Sequence, residues 1–168
     1  VLVGAVDLCG DVRSVITWNQ IRPYTKNHKV RPFDQSADGT LPGEGASALV
    51  LKRLDQAIKD GDRIYSVIKG IGNASGGGVK TNTPSKNAYI LSLERSFQDA
   101  GGSPSSVSFV ETHGSGNTIE DQIESEALNE FIGNRKEPCA IGSIKPNLGH
   151  AGAASGLASL VKTSLCLY

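Results

Sequence analysis

The sequence predicts an α/β protein, and three observations lead to this class. Short apolar segments alternate along the chain with segments of helical periodicity, which is the pattern of βαβ units. Glycine contributes 20 of the 168 residues, which suits a tightly packed α/β protein better than a helix bundle. A chain of this length can also enclose a core of its own. We therefore expect βαβ units with a largely buried sheet.

The first elements follow from local composition. The apolar run 1–8 predicts a buried strand, whereas the polar residues 9–30 predict irregular structure. Asp, Gly and Pro cluster over 31–45, which is typical of turns. Residues 46–54 predict a second strand, and the segment after it predicts a short helix that ends at Gly61.

The middle of the chain contains a predicted boundary. β-Branched alternation over 64–75 predicts a third strand, and the glycine run 76–78 follows it as a loop. A helix is predicted over 85–101, because Ser85 suits its N-cap and Gly101 its C-terminus. The glycine run is therefore the best division between two halves.

The last third alternates strongly between the two types of element. Strands are predicted over 107–112 and 139–144, with a helix over 120–133 between them. A helix rich in small residues is predicted from about residue 151. The chain starts within an apolar run and ends within an apolar helix, so we expect it to be incomplete at both ends and part of a longer protein.

Composition excludes several classes of function. Lys plus Arg and Asp plus Glu each number 17, and this balance argues against a nucleic-acid-binding protein. No apolar run is long enough for a transmembrane helix, and no signal peptide is evident. The three cysteines, Cys9, Cys139 and Cys166, show no zinc-ligand spacing and are interpreted as reduced, mostly buried thiols of a cytoplasmic protein. The histidine spacing likewise predicts no metal site.

Two histidines occupy matching places. His113 follows the strand 107–112 and precedes Gly-Ser-Gly, and His150 follows the strand 139–144 and a glycine-containing loop. Sites in α/β sheets collect at the carboxyl ends of strands, so both side chains are candidates for one site. A helix start beside His150 would favour its neutral form. The alternative for each is a purely structural histidine.

Charged residues accompany both histidines. Lys145 lies between an apolar strand and His150, so we expect it to be half-buried and paired with an acid. Glu124 and Asp121, on the helix after His113, are the candidate partners. Otherwise Lys145 is a surface lysine, and these acids belong to a solvated helix face.

Three stretches together resemble the β-ketoacyl synthase (ketosynthase) domains of polyketide and polyunsaturated-fatty-acid synthases. They are "RPFDQSADGTLPGEGASALVLKRLDQAIKDGDRIYSVIKG", "VETHGSGNTIEDQIESEAL" and "GSIKPNLGHAGAASGLASLVK". The resemblance implies a thiolase-like fold of α-β-α-β-α layers and, usually, a homodimer. Residues 1–76 would end the N-terminal half, and residues 77–168 would form most of the C-terminal half.

The resemblance also implies an activity. Ketosynthases condense an acyl chain with a malonyl thioester, which loses carbon dioxide. They use no bound cofactor, and their substrates are carried on the phosphopantetheine of an acyl carrier protein. His113, His150 and Lys145 match catalytic positions of the family, with Glu124 as partner of Lys145 and Asp121 in support. Ser115 and Asn117 match positions that contact the phosphopantetheine arm. The nucleophilic cysteine would precede Val1, in a missing N-terminal part, and Cys9 would not replace it.

One alternative keeps the same fold without catalysis. A partner subunit of the chain-length-factor type lacks the nucleophile, and the sequence before Val1 would distinguish it from an enzyme. A thiolase-like or stilbene-type synthase with a Cys-His-Asn or Cys-His-Cys site fits less well, because His113 and His150 form a two-histidine pattern.

Overall fold

The computed structural model describes residues 1–8, 10–76 and 83–168. The strands in these residues are β1 (Leu2–Asp7), β2 (Gly45–Val50), β3 (Phe109–Glu111) and β4 (Ala140–Gly142). The α-helices are α1 (Val12–Ile21), α2 (Leu54–Asp60), α3 (Lys86–Ala100), α4 (Thr118–Ile132), α5 (Lys145–Leu148) and α6 (Ser155–Leu167). Short 3-10 turns lie at Pro104–Ser106 and Gly152–Ala154.

The strands pair in two ways. β1 and β2 are antiparallel, with Leu2 opposite Val50 and Asp7 opposite Gly45. β3 and β4 are parallel, and α4 connects them as a βαβ unit. The predicted βαβ arrangement is therefore confirmed for this part of the chain. It places the carboxyl ends of β3 and β4 side by side.

The prediction of a largely buried sheet is wrong for the described residues. No residue of the four strands is buried, and exposed residues alternate along β1 and β2. The turn 152–154 and α6 pack on one face of these two strands, and no described residue covers the other face, whose exposed side chains include the apolar Leu2, Val6 and Val50.

Several predicted elements are confirmed with small changes of length. α3 begins after Ser85, whose hydroxyl accepts a hydrogen bond from the amide of Ala88, and ends at Gly101 in the left-handed conformation. Gly61 ends α2 in the same way. α4 begins two residues earlier than predicted, and the last helix begins at Ser155 after the 3-10 turn.

Two predictions about secondary structure are wrong. Residues 12–21 form α1 although they were expected to be irregular; Asp11 caps this helix by accepting hydrogen bonds from the amides of Arg13 and Ser14. Residues 64–75 pair with no strand of the described chain, although their alternation predicted one. Alternation describes side-chain direction only, and a strand also needs a hydrogen-bonded neighbour.

α3 packs on α4, where the ring centroids of Phe97 and Phe131 lie 5.4 Å apart.

Among the residues described, no helix is long and apolar enough to cross a membrane. Cys9 lies outside the described residues, as do 77–82 at the predicted boundary between halves, so the predictions made for them stay untested. Cys139 is half-buried and Cys166 is exposed at the end of the last helix, so the expectation of mostly buried thiols is wrong for these two.

Candidate active site

The two histidines of interest lie together. The ring centroids of His113 and His150 are 5.5 Å apart, and the rings meet edge to face. His113 follows the end of β3, and His150 follows β4 and the short helix α5. The parallel βαβ unit explains their meeting, because it brings the carboxyl ends of β3 and β4 to the same edge.

The hydrogen bonds of His150 fix the position of its proton. Its Nδ1 accepts a hydrogen bond from the amide of Gly152 at 3.1 Å, and the hydroxyl of Ser155 lies 3.4 Å from the same atom. A neutral imidazole that accepts at Nδ1 carries its proton on Nε2. This Nε2 is buried and has no hydrogen-bond partner among the described residues. His150 therefore presents an unused donor.

Burial keeps His150 neutral. Burial lowers the pKa of the imidazole to about 4, and the positive charge of Lys145 acts in the same direction. The neutral form was expected from a helix start, but the main cause is removal from water. The expected neutral form of His150 is therefore confirmed, whereas the expected cause is corrected.

His113 has a different environment. Its Nε2 lies 3.3 Å from Oε2 of Glu120, and about a third of its side chain is exposed. Burial alone would raise the pKa of Glu120. Hydrogen bonds from His113 and Ser115, together with the charge of Arg22, outweigh this effect and lower the pKa to about 2. Glu120 is thus ionised at neutral pH and can only accept.

The acidic residues of α4 do not form a solvated face. Glu120, Asp121 and Glu124 are all buried, whereas Glu126 is exposed. Glu124 accepts hydrogen bonds from the amides of His113 and Gly114, at 2.7 and 2.8 Å. The alternative of a solvated acidic face is excluded for these three residues.

Asp121 connects two distant segments. Its carboxylate accepts hydrogen bonds from the amides of Ser115 and Phe33, both at 2.9 Å. Phe33 has a positive φ of 59°, which is unfavourable for an aromatic residue. The bond to Asp121 helps to hold this conformation, so Asp121 supports the site through the backbone.

Lys145 is more deeply buried than predicted, with 2% of its surface exposed. Its ammonium donates to the carbonyl oxygen of His113. Burial lowers the pKa of Lys145, although Glu124 and other acids act in the opposite direction. The predicted ion pair with Glu124 is not present among the described residues; the two Glu124 oxygens accept from backbone amides. Lys145 instead binds the carbonyl oxygen of His113, and Glu124 binds its amide.

Ser115 and Asn117 are both engaged within the protein. Ser115 is 1% exposed; its hydroxyl donates to Glu120 at 2.8 Å and accepts from the amide of Asn117. Asn117 is the N-cap of α4, and its side chain accepts from the amides of Ile119 and Glu120. Contact of either side chain with a phosphopantetheine arm stays a prediction.

The turn segment 39–43 joins both histidine loops, which sequence reasoning missed. The amide of Gly39 donates to the carbonyl of Gly116 at 3.0 Å. The amide of His150 donates to Leu41 at 2.7 Å, and its carbonyl accepts from Gly43 at 3.0 Å. A Cβ on Gly116, which has φ 78°, would lie 2.7 Å from the Gly39 oxygen. The close approach of these backbones therefore needs glycine at this position.

Two further ion pairs near the site were also missed. Arg22, just after α1, lies 3.1 Å from Glu120, and Lys162 of α6 lies 2.6 Å from Glu111. Glu111 also accepts from the amide of Ile144 at 2.7 Å. Acid–base pairs this distant in sequence leave no local pattern.

No group of residues able to hold a metal ion occurs in the described part of the chain.

Comparison with known proteins gives a consistent result. The family model of the β-ketoacyl synthase N-terminal domain matches residues 1–57, and that of the C-terminal domain matches residues 65–168. Probable polyketide synthase 5 of Dictyostelium discoideum is 40% identical over 174 aligned residues, which cover 98% of this chain and 7% of that protein. The chain thus spans a small part of the relative that it matches.

Solved structures of ketosynthases have a fold similar to that of this chain. The ketosynthase from module 6 of the bacillaene synthase of Bacillus subtilis 168 superimposes with a TM-score of 0.91 and 38% identity, over 98% of this chain and 30% of that one. The PfaC keto synthase–chain length factor gives a TM-score of 0.85 and 34% identity, over 99% of this chain and 18% of that one. The predicted α/β fold of the thiolase type is therefore confirmed.

Proposed function

The chain belongs to the β-ketoacyl synthase family, and on this premise we propose that it supplies the decarboxylating part of a condensing site. The reaction is the decarboxylative Claisen condensation of an acyl chain with a malonyl thioester on an acyl carrier protein. No bound cofactor takes part, because the phosphopantetheine belongs to the carrier. The single observation that supports this proposal most is the pairing of His113 with His150, whose Nε2 donor is buried and unused.

The chemistry follows from charge development. As the bond between the malonyl Cα and its carboxylate breaks, carbon dioxide leaves and the electron pair forms an enolate. The enolate oxygen accepts a hydrogen bond from the Nε2–H of His150, and the neighbouring ring of His113 is the proposed second donor. Fixed donors of this kind stabilise a developing oxyanion by roughly 3–4 kcal/mol each in other enzymes. The enolate carbon then attacks the acyl thioester and gives a β-keto thioester.

The nucleophile is proposed to lie outside this chain. A cysteine preceding Val1 would take the acyl group from the carrier and release it to the enolate. The missing N-terminal part of the ketosynthase, an acyl carrier protein and a second protomer of a homodimer are the partners that this proposal needs. The cytoplasmic location also stays a prediction.

Three charged residues are proposed to position the histidines. Lys145 binds the carbonyl oxygen of His113, and Glu124 binds its amide, so they hold its backbone from both sides. Asp121 holds the neighbouring amide of Ser115. Ser115 and Asn117 are proposed to face the phosphopantetheine arm once it enters.

A second candidate is a non-catalytic partner of the chain-length-factor type. The likeness to the keto synthase–chain length factor PfaC keeps this alternative open, since both kinds of chain share a fold. The retained His113, Lys145 and His150 favour catalysis, because a partner subunit without a nucleophile has no use for an enolate site.

The test separates the two half-reactions in the full-length protein. His113→Ala and His150→Ala are expected to slow carbon dioxide release from malonyl carrier protein, while loading of the acyl group continues. If both variants release carbon dioxide at the parent rate, the enolate site is absent and the partner-subunit role is favoured. If the parent protein accepts no acyl group at all, the nucleophile is absent, and the partner-subunit role is again favoured.

A further inference from the structure

Asp7 lies at the carboxyl end of β1, next to the turn that follows His150. Its Oδ2 accepts a hydrogen bond from the amide of Ala153 at 2.9 Å. Ala153 is the middle residue of the 3-10 turn Gly152–Ala154. A Cβ at Gly152 would collide with the same carboxylate oxygen, so the absence of a side chain there permits the approach. The carboxylate thus joins the end of β1 to the turn that leads into α6.

The same turn supplies the hydrogen bond that sets the tautomer of His150. The amide of Gly152 donates to Nδ1 of His150 at 3.1 Å, and the next amide along the chain is the one that Asp7 binds. A neutral imidazole that accepts at Nδ1 carries its proton on Nε2. We propose that Asp7 is a positioning residue that holds this turn in place and, through Gly152, keeps the proton of His150 on Nε2. The inference rests on the function proposed above, in which His150 is a donor.

The proposed role leaves the donor of His150 unoccupied. Nε2 is buried and has no hydrogen-bond partner among the described residues. A carboxylate that acts through the amide of Ala153 therefore does not compete with an enolate oxygen for the Nε2–H. The hydroxyl of Ser155, which directly follows the turn, lies 3.4 Å from Nδ1. Both groups that face Nδ1 thus depend on where the turn lies.

The backbone of His150 is held by a different segment. Its amide donates to the carbonyl of Leu41 at 2.7 Å, and its carbonyl accepts from the amide of Gly43 at 3.0 Å. Loss of the Asp7 carboxylate should therefore disturb the imidazole ring more than the loop. Without a fixed donor at Nδ1, the ring can rotate or adopt the tautomer in which Nε2 has no proton. A wrong tautomer strongly lowers activity in other enzymes that use an oriented histidine.

The test uses the full-length protein, with carbon dioxide release from malonyl carrier protein and acyl loading measured separately. Asp7→Leu keeps the branching of the side chain but removes the acceptor, whereas Asp7→Asn keeps an acceptor oxygen. We expect Asp7→Leu to lower kcat for carbon dioxide release by about tenfold, within the range found for coupled neighbours. KM for the malonyl carrier protein and acyl loading should stay near the parent values. Asp7→Asn should keep most of the parent rate.

Two results with these variants would overturn the inference. One is parent-like carbon dioxide release by Asp7→Leu, because the acceptor would then have no effect on the reaction. The other is a loss in Asp7→Asn as large as that in Asp7→Leu, because the acceptor oxygen is retained there. If Asp7→Leu does not fold, Asp7→Ala replaces it with the same expectation, and equal rates for Asp7→Ala and Asp7→Asn would overturn the inference.

A double-mutant cycle with His150→Ala tests whether Asp7 acts through this histidine. If it does, Asp7→Leu causes no further loss of carbon dioxide release in the His150→Ala background. Losses that multiply would contradict the positioning role. If His150→Ala alone keeps the parent rate, the function proposed above fails. A slow His150→Ala variant together with a parent-like Asp7→Leu variant refutes the inference alone.

Asp99 provides the matched control, because a carboxylate near the start of a helical segment can also stabilise that segment. Oδ2 of Asp99 accepts from the amide of Ile71, also at 2.9 Å, and α3, to which Asp99 belongs, carries none of the candidate site residues. Asp99→Leu removes the same kind of bond and should leave carbon dioxide release near the parent rate. A loss equal to that of Asp7→Leu would reveal a general effect on stability and overturn the inference.

Discussion

The imidazoles of His113 and His150 meet edge to face at 5.5 Å, yet they offer different hydrogen-bonding atoms. Nδ1 of His150 accepts from the amide of Gly152, which leaves the buried Nε2 as an unused donor. Nε2 of His113 already lies 3.3 Å from Glu120. We therefore expect the two histidines to respond differently to substitution.

The first prediction concerns the donor of His150. His150→Ala removes it and should slow carbon dioxide release by roughly 10²–10³-fold, as loss of one oxyanion donor does elsewhere. His150→Gln places an amide N–H near the position of Nε2 and should retain part of the rate. The measurement is carbon dioxide release by the full-length protein. Equal losses in both variants would mean that the rate of carbon dioxide release does not depend on an N–H donor at this position.

The second prediction concerns pH. Burial, aided by Lys145, lowers the pKa of His150 from 6.5 to about 4, so unfolding makes this side chain take up a proton between these values. The stability that depends on neutral His150 is thus fully present above pH 6.5 and is lost as pH falls towards 4. His150→Gln should make the free energy of unfolding less dependent on pH in this window. Urea unfolding at pH 7, 5.5 and 4 measures the difference, and parallel curves would contradict it.

Much of this site could be predicted from local sequence, and the remainder could not. The strand–loop–His pattern occurs twice, so the meeting of His113 and His150 follows from a βαβ unit. By contrast, the contact of Glu120 with Arg22 joins residues that are far apart in sequence, and no periodicity marks it. Helix α1 was missed because its β-branched residues weaken helix propensity, although Asp11 was a usable N-cap signal.

The third prediction concerns Lys145. Lys145→Met keeps a long side chain in the buried space but removes the hydrogen bond to the carbonyl of His113. We expect carbon dioxide release to fall by about tenfold or more, because the His113 loop loses one of its backbone anchors. Acyl loading should fall much less. Lys136→Met, at an exposed position, is the control, and equal activity of the two variants would contradict the anchoring role.

The fourth prediction compares two glycines with similar φ angles. Gly116 has φ 78° and would place a Cβ 2.7 Å from the Gly39 oxygen, whereas Gly61 has φ 69° and open space around it. Gly61→Ala should cost about 1–2 kcal/mol of stability, the price of a left-handed residue. Gly116→Ala should cost more, since it also separates the loop from the turn at Gly39. Chemical unfolding measures both, and an equal cost would show that the close approach contributes nothing.

The last prediction concerns the thiols. Cys139 precedes the first residue of β4, whereas the histidines lie beyond the other end of that strand. Cys166 is exposed in the last turn of α6, about 16 Å along the helix from Ser155, the residue that contacts His150. Neither thiol is placed to deliver an acyl group to an enolate held between His113 and His150. Cys139→Ala and Cys166→Ala in the full-length protein should therefore keep acyl loading and condensation near the parent level, and Cys9→Ala should do so if the nucleophile precedes Val1. The measurement is radiolabelled acyl transfer from the carrier protein, followed by detection of the β-keto product. Loss of loading in a folded Cys9→Ala variant would place the nucleophile inside this chain and contradict the proposed division of the site.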